Sequence, residues 1–236
     1  IDPGMLEIRE GDLYVNTQNG IFVLEDLGNS WAKMQHQPFN NIVSRSYCVD
    51  SLLFFQGFHL GGIYRSEGID KEWKPAINGI SHAYSSDLFI SDSGIYITSS
   101  NGVQFSGNCG ESWEIRQSGI DQVSRDPLIR SIYGHNNIML IGCRNAVHRS
   151  IDYGLTWSSN TMGLANDYKD YIDIVINDTA AFIAAYKSNY PTSYHGSIYF
   201  SSNHGKNWID ILPDSISDKI VLFSTFTPPA PPQFVL

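Results

Sequence analysis

The chain has 236 residues, of which 42% are hydrophobic and only 17% charged, with a net charge of −9 and a pI near 5.1. This length is ample for a buried core, and an acidic surface repels phosphate backbones, which excludes nucleic acid as an expected partner. The longest apolar stretches are a few residues, as at Ile138–Ile141, so neither a membrane span nor a basic membrane-surface segment is predicted.

In chain order, residues 1–4 lack the apolar stretch of a signal peptide and read as a scar ahead of Met5. Five groups of short period-2 segments follow, each expected to form four strands. The first group, about 5–35, holds Met5–Arg9, Asp12–Thr17, Ile21–Leu24 and Ser30–Met34. The second, about 42–76, holds Ile42–Asp50, Leu52–Gly57, Gly62–Ser66 and Glu72–Pro75. The third, about 81–117, holds Ser81–Ile90, Gly94–Ser99, Gly102–Ser106 and Ser112–Arg116. The fourth, about 129–161, holds Ile129–His135, Asn137–Cys143, Ala146–Ser150 and Thr156–Asn160. The fifth, about 171–213, holds Tyr171–Ile176, Ala180–Tyr186, Ser197–Ser201 and Asn207–Leu212. A further strand is expected over 219–226 as a closing strand, and residues 227–236 form a proline-rich tail or linker. Such ends suggest a domain of a larger multidomain chain or a mature secreted protein.

The groups are copies of one unit. The five tryptophans Trp31, Trp73, Trp113, Trp157 and Trp208 are spaced by 42, 40, 44 and 51 residues, the period of one blade of a propeller. Seven residues before each Trp stand Leu24, Ser66, Ser106, Ser150 and Ser201. Five before stand Asp26, Gly68, Asn108, Asp152 and Asn203, and three before stand Gly28, Asp70, Gly110, Gly154 and Gly205. Six after, three copies share a glycine: Gly79, Gly119 and Gly163. The pattern Ser-x-Asp/Asn-x-Gly-x-x-Trp has a plain physical use. Ser and Asp oxygens hold nearby backbone amides in a tight turn, Gly supplies positive φ, and Trp starts an outer strand with a large packing face. These Asp and Asn residues are therefore read as turn formers, not as catalytic acids or metal ligands.

This pattern resembles the Asp-box (BNR) repeat of sialidases, family 74 glucanases, sortilin-type receptors and the photosystem II assembly factor, over about residues 5–213. The resemblance implies an all-β fold, a β-propeller of about five four-stranded blades, with the box as the turn between the third and fourth strands. It also implies that a site would lie on the opposite face, where the second-to-third-strand turns and interblade loops converge. That face would carry Phe58, His59, His82, Arg125, Arg144 and Tyr168. It would also carry the insert Lys187–Gly196, with Tyr190, Tyr194 and His195, which is read as a long binding loop able to stack on a sugar or peptide.

Catalytic signatures are sparse. The Arg-Ile-Pro motif that the resemblance to sialidases would require is absent, and of eight arginines only Arg125, Arg130 and Arg144 are placed to reach the site face. Asp126 and Asp167 lie on loops of adjacent blades, so a pair of carboxylates for glycoside hydrolysis is geometrically possible there. No zinc-protease, nucleophile-elbow or phosphate-loop motif is present, the spacing of Cys48, Cys109 and Cys143 fits no metal site, and no cofactor is expected. The reading is a non-catalytic binding or scaffold module, extracellular or periplasmic, that recognises a glycan or a protein. The alternative is a secreted carbohydrate-active hydrolase.

Overall fold

The computed structural model describes residues 5–9, 12–17, 20–25, 28, 30–34, 43–49, 52–57, 62–67, 71–80, 85–99, 102–120, 129–144, 146–164, 170–189 and 193–212. Among them every regular element is a β-strand, and twenty strands form five four-stranded antiparallel sheets, each with its strands in sequential order. The first sheet is β1 (Met5–Arg9), β2 (Asp12–Thr17), β3 (Gly20–Glu25) and β4 (Ser30–Lys33); the second is β5 (Val43–Val49), β6 (Leu52–Gly57), β7 (Ile63–Ser66) and β8 (Lys74–Pro75). The third is β9 (Ser85–Ser91), β10 (Gly94–Ser99), β11 (Gly102–Ser106) and β12 (Glu114–Ile115). The fourth is β13 (Ile129–His135), β14 (Ile138–Cys143), β15 (Ala146–Ser150) and β16 (Ser158–Ser159), and the fifth is β17 (Asp170–Ile176), β18 (Ala181–Asn189), β19 (Ser193–Ser201) and β20 (Ile209–Asp210).

Among the described residues the strands fall where the alternation places them, apart from two differences; residues 42, 50 and 81–84 of the expected strands lie outside the described residues. Fourth strands expected to span four to six residues pair over only two in the second to fifth sheets. After those two pairs the chain turns away, leaving one further backbone bond to the third strand, such as Asn160 N–H to Val147 O and Ile211 N–H to Ile198 O. A short outer strand also leaves little unpaired edge for another chain to join. The second difference concerns the insert of the fifth group. Its described residues are strand: β18 and β19 pair without interruption through Tyr186–Gly196, Lys187–His195 and Ser188–Tyr194 to Asn189–Ser193. Ser, Thr, Tyr and His are all compatible with a strand, so the ladder runs on until the chain must reverse.

The chain divides into two compact units, one built on the first two sheets with Ser106–Trp113, the other on Ser86–Phe105 and the residues from Glu114 onward. In the second unit the core lies between successive sheets. One cluster gathers Tyr96, Val103 and Phe105 with Ile132, Met139, Ile141 and Trp157. The next gathers Leu140 and Val147 with Ile174, Ile183, Tyr199 and Trp208. Middle strands are covered on both faces, which is why β10 and β11 are buried at every residue and why β14 reads as a continuous Ile-Met-Leu-Ile run. Cys143 belongs to this core, and burial pushes its thiol up to about 12. In the first unit, Trp113 Nε1 donates to Ala76 O at 2.9 Å and Gly110 packs on the ring of Phe54.

The expected closing strand 219–226 and the tail 227–236 lie outside the described residues, as do the turn residues Asp26, Gly68 and Asp70.

Candidate functional site

The repeat turns between third and fourth strands are built alike wherever the full motif is present. Ser150 Oγ donates to Asp152 Oδ1 (2.7 Å) and accepts the amides of Asp152 and Gly154; Ser106 and Ser201 do the same with Asn108, Gly110, Asn203 and Gly205. Asp152 Oδ1 also accepts Thr156 N–H at 2.9 Å, while Oδ2 accepts the Thr156 hydroxyl at 2.6 Å. Partial burial alone would raise the carboxyl's pKa, but the bonds from Thr156 and Ser150 outweigh it and hold Asp152 below the usual carboxylate range. Both oxygens thus take part in holding the turn.

Backbone geometry explains the rest of the motif. Cys109, Tyr153 and His204 adopt φ near 55°, each followed by a glycine at φ 77–79°. A Cβ at Gly205 would stand 2.7 Å from Leu140 Cδ2, and one at Gly110 2.9 Å from Phe54 Cε1, so the turn rests directly on the sheet before it. An arginine of that sheet then binds the carbonyl of the left-handed residue: Arg65 to Cys109, Arg116 to Tyr153 and Arg149 to His204, at 2.7–2.9 Å. Further bonds gather the first-to-second-strand turns at the same end. His135 Nε2 lies 2.6 Å from Asp178 Oδ1, and His204 Nε2 lies 2.9 Å from Asp178 O.

In the second unit this end is therefore a structural seam, and antiparallel strand order places the second-to-third-strand turns at the opposite end. Two of the sequence-predicted residues groups are found there. Arg144 follows β14 directly and is exposed. The hairpin of β18 and β19 carries Tyr194 and His195 in its ladder, opposite Ser188 and Lys187. Its strands have nine residues each, against six and five for β14 and β15. At about 3.3 Å per residue, three or four extra residues reach roughly 10 Å further. Phe58, His59, His82, Arg125, Asp126, Asp167, Tyr168 and Tyr190 lie outside the described residues.

Sequence reasoning passed over one buried carboxylate. Asp87 of β9 is 5% exposed; its Oδ1 accepts Leu88 N–H (2.8 Å) and its Oδ2 accepts Ile132 N–H of β13 (3.0 Å). Asp173 of β17 repeats the first of these bonds with Ile174, just after a register shift between Tyr171 and Asp173. Burial, followed by the negative charge of Asp173, raises the pKa of Tyr133. The signal was a charged residue at an inward position of an alternating strand. Its chemistry is a latch between the inner strands of neighbouring sheets, since both oxygens already hold backbone amides. No group of His, Cys, Asp and Glu able to hold a metal occurs among the described residues. Among them, too, no helix is long and apolar enough to cross a membrane.

The chain matches no family model and no curated protein. It is similar to several solved β-propeller structures. The extracellular domain of a one-component system from B. thetaiotaomicron aligns with TM-score 0.70 and 14% identity, over 90% of this chain and 28% of that one. A GH74 enzyme of Niastella koreensis aligns with TM-score 0.64 and 14% identity, over 91% and 38%. YCF48 bound to D1 peptide aligns with TM-score 0.65 and 13% identity, over 93% and 68%. The chain thus spans less than two fifths of the first two structures, and at these identities the likeness shows the fold alone.

Proposed function

We propose that the chain is a non-catalytic binding module of the Asp-box propeller kind, its five sheets serving as blades, with a glycan or protein bound at the end opposite the repeat turns. The observation that carries this reading is the β18–β19 hairpin, which extends past its counterparts at that end. A hairpin is a rigid platform, so side chains on it are presented with less loss of conformational freedom than on a loop. Tyr190, Tyr194 and His195 are the residues proposed to stack on the ligand, with Arg144 beside them and Phe58, His59, His82, Arg125 and Tyr168 as further contacts. Solved neighbours of this fold include an extracellular sensor domain and a peptide-bound propeller, which supports both recognition as a task and an extracellular or periplasmic location. Hydrolysis through Asp126 and Asp167 is the competing reading; its support is the fold shared with GH74 enzymes.

The test is a glycan array and a peptide array probed with the purified chain, followed by a reducing-sugar assay on every glycan hit. Replacing Lys187–His195 by Asn-Gly closes the hairpin directly after the Tyr186–Gly196 pair, because two-residue turns of this type suit hairpins. This variant is expected to keep the β-sheet circular dichroism spectrum and to lose binding at least tenfold. Undiminished binding would remove the hairpin from the site. Turnover of a bound glycoside would replace the binding reading with the hydrolase and place Asp126 and Asp167 first for mutation.

A further inference from the structure

Matching the fourth and fifth sheets row by row shows where the fifth exceeds the fourth. Met139 pairs with Ser150 and Cys143 with Ala146; in the fifth sheet Ala181 pairs with Ser201 and Ala185 with Ser197. Ser150 and Ser201 hold the same place in their turns. The Cys143–Ala146 row, the last before the chain reverses, therefore matches the Ala185–Ser197 row. The fifth hairpin continues for four more rows, from Tyr186–Gly196 to Asn189–Ser193. Lys187–His195 is the second of them, about 7 Å beyond the level at which the fourth sheet turns back.

Alternation divides the extension into two faces. Ala181, Ile183, Ala185 and Tyr199 share a core cluster with Leu140 and Val147, so their face of the fifth sheet packs on the fourth. Lys187 and His195 are register partners two residues beyond Ala185 and Ser197, and they continue that face. Tyr186, Ser188 and Tyr194 continue the other. A lysine and a histidine thus overhang the fourth sheet at the end where Arg144 is exposed. Arg65, Arg116 and Arg149 each hold a carbonyl of a repeat turn, whereas Arg144 makes no hydrogen bond or ion pair among the described residues. Two carboxylates lie near. Asp210 is beside Ser197, and its oxygens accept the Ser197 hydroxyl at 2.8 Å and the Leu212 amide at 3.0 Å. Asp170 pairs with Tyr186, in the row that alternates with Lys187.

We infer that Arg144, Lys187 and His195 form a site for the carboxylate of an acidic glycan, one that carries hexuronate residues. The inference rests on the reading of the β18–β19 hairpin as a binding platform and specifies its ligand. The chain has a net charge of −9, so its general surface repels anions, yet two cations and an imidazole are gathered at this one place. A guanidinium matches a carboxylate with paired N–H bonds, an ammonium adds a point charge and an imidazole adds an N–H donor. The composition of the hairpin selects a glycan over a peptide. Residues 186–196 read Tyr-Lys-Ser-Asn-Tyr-Pro-Thr-Ser-Tyr-His-Gly, without one aliphatic side chain. A protein partner is held by an interface core that is apolar and depleted of charge. A sugar instead offers hydroxyls to Ser, Thr and Asn and a ring face to Tyr.

Isothermal titration calorimetry of the whole chain with oligogalacturonate and oligoalginate, each also as its methyl ester, tests the site. At least one free acid is expected to bind, and its ester, which keeps the ring but loses the charge, is expected to bind about tenfold more weakly or worse. Arg144→Gln and Lys187→Gln are each expected to weaken binding of the free acid by a similar factor. Arg144→Lys keeps the charge without the paired N–H geometry and is expected to lose less than Arg144→Gln. Arg144 is exposed, so its variants keep the circular dichroism of the parent. Equal binding of acid and ester, or binding of the acid that both glutamine variants retain, would overturn the carboxylate site. The hairpin would then stand as a platform for a neutral ligand, which the Asn-Gly variant tests separately. Binding of neither acid, or preference for a glutamate-rich peptide over both, would overturn the site as well, and the array hits would decide whether the hairpin binds at all.

Discussion

Asp152 shows how a residue's chemistry can be spent on structure. Asn108 and Asn203 occupy the same position in neighbouring turns, and Asn108 Nδ2 donates to Ser112 Oγ at 2.8 Å, where Asp152 instead accepts from Thr156. An amide can therefore replace the carboxylate with one bond reversed. Asp152→Asn is expected to change unfolding free energy at pH 7 by no more than about 0.5 kcal/mol, whereas Asp152→Ala, which strands the Ser150 hydroxyl and the Thr156 amide, is expected to cost about 1–3 kcal/mol. The pH dependence separates charge from shape. The folded-state pKa of Asp152 is held below its ordinary value, so its ionisation contributes stability above the unfolded carboxylate range, and that contribution is lost as pH falls through the folded value. Urea unfolding at pH 7 and pH 3 should show a smaller loss for Asp152→Asn than for the parent. An equal loss in both would mean that the carboxylate's charge has no part in the turn.

At the scale of the element, the glycines that follow the tryptophans have a measurable role. A Cβ on Gly119 would lie 2.0 Å from the carbonyl oxygen of Trp157, and one on Gly163 1.9 Å from that of Trp208, both at positive φ. Backbone cannot yield as a side chain can, so Gly119→Ala is expected to cost more than about 3 kcal/mol. Gly62→Ala is the control: it too has positive φ, but its nearest neighbour is the Ile77 side chain at 3.6 Å, and a cost of about 1 kcal/mol is expected. Similar costs for the two variants, read from their urea midpoints, would refute the contact between sheets as the reason for Gly119. The sequence disclosed such elements well because each is local. Ser, Asp or Asn, Gly and Trp at fixed offsets mark a turn whose bonds are made within seven residues, and period-2 alternation marks the strands beside it. What it left obscure depends on partners distant in the chain. The inward charge of Asp87 was legible, but its role was not, because its second acceptor bond reaches Ile132. The hairpin of β18 and β19 read as a loop because Ser, Asn, Tyr and Thr suit either state until cross-strand pairing decides. The ligand-face residues were reached only through the resemblance and the placement of loops; apart from Arg144 and the backbone of Tyr194 and His195, they lie outside the described residues.

For the whole molecule, charge and apolar burial oppose one another. The chain carries a net charge of −9, and like charges repel over a distance set by the ionic atmosphere, about 30 Å at 0.01 M salt and about 8 Å at 0.15 M. A net charge far from zero destabilises the compact state through this repulsion. Added salt removes the repulsion and leaves the burial of apolar side chains intact, or strengthens it. The urea midpoint is therefore expected to rise between about 10 and 500 mM sodium chloride. Surface ion pairs such as Arg65–Glu111 and Arg116–Glu114 act in the opposite sense, since salt screens their attraction. A midpoint that falls over the same range would mean that such pairs outweigh the net repulsion.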